Sequence, residues 1–298
     1  MSIQINYTLC PVCGSAGISK VFKVKDNTAS QEFFEIYHCS NCQVRFTQNP
    51  PSESSILEYY KSENYISHTN TSKGLINRLY QTIRNISIKQ KTKLIEKITG
   101  LTNGNLLDVG SGTGYFAAAM QKAGWQVTAL EPDDGARHVA IQQHALNLLP
   151  VEELFNLQPN KFDAITLWHV LEHVHDVKKY MITFKKLLTD NGKLFIAVPN
   201  YRSYDAMSYG SNWAGYDVPR HLYHFTPQTM QWLMKEHGMK IIDIKPMWFD
   251  SFYVSLLSSK YKNGNPNWIG AFWTGLVSNI KAMSDVKKCS SVIYIISK

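Results

Sequence analysis

Apolar positions follow two rhythms along the middle of this chain. Between residues 104 and 250, short apolar runs alternate with stretches in which apolar residues recur every three or four positions. The runs 105–109, 126–130, 162–168, 193–198 and 240–245 predict strands. The stretches near 114–123, 135–145, 176–188 and 226–237 predict helices. The last is the best marked: Thr226 is placed to cap it, Pro227 opens its first turn and Gly238 lies just past its end. Such alternation makes a doubly wound parallel α/β sheet. A closing apolar run, Ser291 to Ile296, has no helix after it and predicts an antiparallel partner for the 240–245 strand.

The flanking segments follow other patterns. Residues 1–50 hold two β-type runs, Lys20 to Val24 and Phe33 to His38, and predict a small separate module. Pro50-Pro51-Ser52 marks a break, and residues 51–103 predict a helical connector or lid. There Ile56, Leu57, Tyr59, Tyr60 and Tyr65 precede one long helix or two abutting ones, carrying Ile76, Leu79, Tyr80, Ile83 and Ile86, then Leu94, Ile95 and Ile98. Residues 104–298 form the core, with an aromatic insertion at 251–284. That insertion carries Tyr253, Tyr261, Trp268, Phe272 and Trp273, too much aromatic surface for a solvated loop. It is a cap over the active site, a dimer surface or a membrane-interface element, and a cap is the expectation, since loops above strand ends commonly close pockets.

Cysteine usage changes the picture of the first 50 residues. Cys10-Pro11-Val12-Cys13 and Cys39-Ser40-Asn41-Cys42 are two CxxC knuckles separated by 25 residues. A segment this short cannot hold itself together by apolar burial, and four thiolates around tetrahedral zinc would staple it. Cys10, Cys13, Cys39 and Cys42 are therefore the expected metal ligands, and Cys289 is a buried bystander. Such usage suits a reducing compartment. The chain has no apolar stretch of the ~20 residues a membrane span needs, and no secretory pattern at its start, so a cytoplasmic location is expected. Net charge is +8, with lysines and arginines clustered between Lys73 and Lys97. That balance permits nucleic acid, anionic lipid or phosphorylated partners, although helical spacing there also fits a solvated face.

The candidate chemistry begins where the first strand of the core ends. Leu107-Asp108-Val109-Gly110-Ser111-Gly112-Thr113-Gly114 places three glycines at alternate positions before a helix. The next strand ends in Glu131, where an acid can accept hydrogen bonds from both hydroxyls of a ribose. Dehydrogenases use G-x-G-x-x-G, whereas the spacing here is G-x-G-x-G. With Phe162 to Trp168 and the turn His169-Val170-Leu171-Glu172-His173-Val174, the core resembles class I S-adenosylmethionine-dependent methyltransferases, and within them the ubiquinone-biosynthesis-like subgroup.

That resemblance implies a Rossmann-like sheet with an antiparallel last strand, beside a small zinc-ribbon module. It implies that Gly110, Gly112 and Gly114 form the loop under the methionyl part of S-adenosylmethionine, that Asp108 holds the loop or the cofactor amine, and that Glu131 binds the ribose. Val151 and Glu152, from a short third strand around Leu148–Glu152, would flank the adenine, and Trp168 would face the methionyl group. Methyl transfer to oxygen or carbon also needs a base. His169, His173 and His175 follow the fourth strand, and His221 and His224 follow the fifth; His221 and His169 are the leading candidates. His169, Glu172 and His173 share one helical face and could also hold a second divalent cation. The expected activity is methyl transfer to a small-molecule acceptor such as a sugar, a quinone or phenol, or a lipid-like compound. The alternatives are an RNA methyltransferase gripping phosphates through the zinc module and basic helices, and a non-catalytic binding module on the same fold.

Overall fold

The computed structural model describes residues 4–60 and 75–298, with the side chains of the helix that opens at Leu75 described from Gln81 onward. Tyr65, His68 and Lys73 lie outside the described residues. Two compact units interleave along the chain. One comprises residues 1–65, 169–180 and 197–295, and the other residues 66–168, 181–196 and 296–298.

The first unit opens with an antiparallel sheet of β1 (Ile18–Lys25), β2 (Phe33–Cys39) and β3 (Arg45–Gln48). A fourth strand, β8 (Tyr223–His224), completes it by pairing Arg45 with His224 and Phe46 with Tyr223. The module of the first 50 residues thus acquires an edge strand from a loop nearly 180 residues away. Its core joins Val24, Phe34 and Ile36 to Ile56, Tyr59, Tyr201, Trp213, Tyr216 and Val218. Aromatic rings in that cluster meet edge to face, as their quadrupoles favour, including Trp213 with Tyr216 at 5.2 Å between centroids. Helices α5 (Tyr204–Tyr209) and α6 (Pro227–Glu236) follow, and the aromatic insertion forms two more, α7 (Asp250–Asn263) and α8 (Trp268–Ser284).

The second unit begins with one long helix, α1 (Leu75–Thr99). Then come β4 (Asn105–Val109), α2 (Tyr115–Lys122), β5 (Gln126–Leu130), α3 (Asp134–His144), β6 (Phe162–Trp168) and α4 (Val177–Leu187). β4 pairs in parallel with β5 on one side and with β6 on the other. A small-residue layer of Ala117, Ala118, Ala129 and Ala140 with Leu146 and Leu148 lets α2 and α3 lie close to the strands. Taken over the whole chain rather than this unit alone, the six-stranded sheet adds β7 (Leu188–Pro199), β9 (Lys240–Pro246) and β10 (Ser291–Ser297) in the order β5-β4-β6-β7-β10-β9, its last strands antiparallel. The final strand enters between its two neighbours, so it borders β7 as well as the strand the sequence assigned it.

The third strand expected around Leu148–Glu152 does not form. Only Leu149 bridges to Leu130. Pro150 lacks an N–H for a ladder, and the chain turns into a short 3-10 helix, Val151–Asn156.

Candidate functional site

The glycine loop of the second unit is built by backbone geometry. The N–H groups of Gly110 and Ser111 both donate to the Leu130 carbonyl, at 2.8 and 2.9 Å, which stitches the loop onto the end of β5. Gly110, Gly112 and Gly114 all have positive φ, at 72°, 54° and 81°. Two of them serve different ends. A Cβ on Gly114 would come within 3.0 Å of Ala140, so glycine there lets the packing close up. A Cβ on Gly112 would meet nothing among the described residues within 4 Å, so glycine there supplies the turn and leaves space in front of the loop.

Two buried carboxylates hold this loop. Asp108 accepts hydrogen bonds from Thr166 Oγ1 and Ser111 Oγ, both at 2.7 Å. Burial pushes its pKa up to about 6, against the pull of those two donors. Glu131 accepts from Gly112 N at 2.7 Å and from Asp133 N at 3.1 Å. Its carboxyl is also raised, chiefly by burial. Each of its oxygens keeps a lone pair for a further donor, such as a ribose hydroxyl. Trp168 closes β6, with Phe116 edge-on at 5.5 Å and the Lys91 ammonium 4.3 Å from its ring centre. Its indole N–H is buried and finds no acceptor among the described residues. Open space before a glycine loop, a ribose-type acid and an unpartnered indole donor fit S-adenosylmethionine. Val151 and Glu152 lie in the 3-10 turn after Leu149.

The histidines belong to the first unit. His169 has φ 59° and is clamped, Nε2 2.9 Å from Asp250 and Nδ1 3.3 Å from Glu172. Burial alone would lower its pKa, but the two carboxylates outweigh it and raise it to about 10. His169 is therefore an imidazolium at neutral pH and has no lone pair with which to take a proton. Glu172 is fully buried; His169 keeps its carboxyl low despite that burial, and its Oε2 has no hydrogen-bond donor among the described residues.

His173 is the opposite case. Its Nδ1 lies 2.9 Å from the Tyr60 hydroxyl and 3.0 Å from the Arg220 carbonyl. Burial, helped by the neighbouring His221, drops its pKa to about 4, so it is neutral at pH 7. The His221 ring stands edge-on to it, 4.6 Å between centroids. Nδ1 of His221 lies 2.9 Å from the Gly215 carbonyl, which can only accept, so Nδ1 carries the proton and Nε2 keeps a lone pair in the neutral ring. That Nε2 is 4.0 Å from Asp217. Ligand atoms of Glu172, His173 and His221 all lie within 4.8 Å of one another. For a second cation, the gathered set therefore has His221 where the sequence suggested His169.

Arg220 fixes the loop that presents His221. It is buried, pairs with Asp217 at 2.6 Å and Asp26 at 3.2 Å, bonds Thr28, and donates to the Tyr59 carbonyl at 3.0 Å. Those carboxylates raise its pKa further despite burial. Only the short-range half, Asp217 with Arg220 three residues apart, is visible in the sequence; Asp26, Tyr60 and Asp250 carry no local signal.

At the front of the same unit, Cys10 and Cys42 place their sulfurs 3.7 Å apart, and Cys13 and Cys39 place theirs 3.5 Å apart. All four lie within 4.8 Å of one another, and none is disulfide-bonded. A tetrahedron with Zn–S bonds of about 2.3 Å has S–S edges of about 3.8 Å. Left-handed residues, Gly14 and Gln43, follow the second cysteine of each pair, and their N–H groups bond back to Cys10 and Cys39.

A parallel nucleotide-binding sheet with a G-x-G-x-G loop, a ribose-type acid and an antiparallel last strand defines the class I methyltransferase architecture. The methyltransferase-domain family model matches residues 80–244, and the chain belongs to that family. It is an S-adenosylmethionine-dependent methyltransferase. Among curated proteins it is similar to the ubiquinone biosynthesis O-methyltransferase of Acinetobacter baylyi, 29% identical over 163 residues, which cover 50% of this chain and 68% of that protein. It is 35% identical over 109 residues to the same-named enzyme of Idiomarina loihiensis, covering 34% of this chain and 44% of that one. Among solved structures, the magnesium protoporphyrin IX methyltransferase of Synechocystis PCC 6803 superposes with a TM-score of 0.53 at 12% identity. That match covers 83% of this chain and all of the other, and it speaks to the fold.

Proposed function

We propose that the enzyme transfers the methyl group of S-adenosylmethionine to a hydroxyl of a small, largely apolar acceptor, with His221 taking the proton. The observation that carries this reading is the edge-on pair of imidazoles, His173 and His221, with ligand atoms gathered beside the buried Glu172; His173 and Glu172 lie in the turn that directly follows Trp168 in the chain. The O-methyltransferase relatives support an oxygen acceptor of the quinone-precursor or phenol type. Asp108, the three loop glycines and Glu131 would hold the cofactor, and Val151 and Glu152 would border its adenine. The cofactor supplies an electrophilic methyl on a sulfonium. The chain's part is to bind it, align the acceptor hydroxyl and remove its proton. His169, held as a cation, positions Glu172 and does not act as the base. Cys10, Cys13, Cys39 and Cys42 would hold a structural zinc that shapes the module on which Arg220 anchors the His221 loop.

The test is transfer of a radiolabelled methyl group from S-adenosylmethionine to a panel of catechols, hydroxyquinones and sugars, with total RNA as the competing substrate. O-methylated phenolic product is the expected result. Labelling confined to RNA, or to sugar carbon, would replace this reading.

A further inference from the structure

The α7–α8 hairpin is built inside out. The side chains it buries are small or polar: Ser251, Ser255, Ser258 and Ser259 from α7, and Ala271, Gly275, Ser278 and Ala282 from α8. No large apolar side chain is among those buried; several are half-buried, Val254 against the core cluster, and others stand exposed. On α8, Trp268, Ile269, Phe272, Trp273, Ile280 and Met283 are exposed, Ile269 and Met283 by 74% and 76%. At 3.6 residues per turn these six span an arc of about 140° with no charge inside it. Tyr253 of α7 is exposed as well.

This orientation is fixed from beneath by hydrogen bonds. Ser278 and Ser290 both donate to the buried Asp205 carboxylate at 2.7 Å, with the Trp213 indole as its third donor at 2.8 Å. Ser251 donates to Asn279 at 3.0 Å, and Asn279 donates to the Trp248 carbonyl at 2.8 Å. Rolling α8 to hide its apolar stripe would break this set. Helix pairs that meet through Ser, Gly and Ala while turning large apolar groups outward are the pattern of an apolar surrounding, not of water.

Charge at the borders identifies that surrounding. From residue 251 to residue 288 there are five lysines, Lys260, Lys262, Lys281, Lys287 and Lys288, against the single acid Asp285. All five are exposed, on the segments at the ends of the two helices. No described helix is long and apolar enough to cross a membrane. A helix of this kind, with tryptophans and phenylalanine on one side and lysines at its margin, lies in the plane of a bilayer interface. We propose that the outer face of α8, with the bordering lysines, docks this enzyme on an anionic lipid bilayer.

The test is cosedimentation of the full chain with vesicles of phosphatidylcholine, alone or with about a third phosphatidylglycerol. Binding to the anionic vesicles is expected, with little to the neutral ones. The double variant F272S/W273S should lose at least about tenfold in partitioning, and K260E/K262E about tenfold, since each interfacial lysine contributes several-fold. Brominated phospholipid should quench tryptophan emission in the native chain and much less in W268F/W273F. Binding of S-adenosylhomocysteine serves as the folding control, because none of these positions belongs to the proposed cofactor site. If F272S/W273S fails that control, K260E/K262E decides alone, since it changes only exposed charge. Failure of the native chain to bind anionic vesicles overturns the proposal. So does equal binding by a folded K260E/K262E variant. A dimer in light scattering that F272S/W273S dissociates, without vesicle binding by the native chain, would assign the face to a second copy instead.

Discussion

Glu131→Ala probes the cofactor site at its most connected residue. In the free enzyme the Glu131 carboxylate receives the Gly112 and Asp133 amides, at 2.7 and 3.1 Å. A bound ribose would add two hydroxyl donors to the same oxygens. Alanine removes both ribose bonds and also unties Gly112, whose left-handed turn shapes the loop. Hydrogen bonds to a charged group contribute about 1.5–3 kcal/mol each, and water compensates part of that, so a net loss of about 2–4 kcal/mol is expected. That corresponds to affinity lower by about 30-fold to 700-fold. Titration calorimetry with S-adenosylhomocysteine reads it directly, and a thermal melt checks that the fold survives. Glu131→Gln should weaken binding as well, because its amide group places a donor where the carboxylate accepts. Affinity within about threefold of native in a folded Glu131→Ala variant would refute the assignment of the ribose to this acid.

The zinc assignment predicts one zinc per chain by elemental analysis, lost together with cooperative melting in Cys39→Ser; a full complement of zinc in that variant would contradict it. Arg220→Met leaves the buried Asp26 and the half-buried Asp217 without their cation, and should destabilise the chain by about 3–5 kcal/mol in urea unfolding; a loss under about 1 kcal/mol would mean the network carries little. His169 gives a pH signature. Its folded pKa, about 10, exceeds the ordinary histidine value of 6.5, so its stabilising contribution is complete below that value and disappears as pH rises through about 10. A third of its side chain is exposed, which tempers the size of the effect but not its sign. Urea midpoints should therefore fall more steeply between neutral pH and pH 10 in the native chain than in His169→Gln, and parallel profiles would remove the clamp from the account.

What the sequence made legible was local. The glycine loop could be read because three glycines, the strand before them and the acid after them lie within a short span. Its geometry follows from backbone rules that act on neighbours. The helices and strands of the core followed from periodicity in the same way. The third strand that the resemblance implies does not form, because Pro150 has no N–H to donate and the ladder ends after Leu149. Pairing of β3 with the two residues of β8 carried no signal, since a strand that short has no period. The histidines show the same divide. Their place after the fourth and fifth strands was visible, but their charge states were not. Asp250, far along the chain, makes His169 a cation, and burial next to His221 keeps His173 neutral. The aromatic insertion was evident from composition, yet which of its faces points outward is set by serine and asparagine hydrogen bonds that only the folded chain reveals.

The claim at the centre of this account is that His221 takes the acceptor's proton during methyl transfer. It is tested most directly by single-turnover transfer from enzyme preloaded with labelled S-adenosylmethionine to a phenolic acceptor, native chain against His221→Ala. The account predicts a transfer rate lower by about 10²–10⁴-fold in the variant, with cofactor affinity unchanged. Equal rates in the two proteins would contradict it and leave alignment of donor and acceptor as the whole of the chemistry.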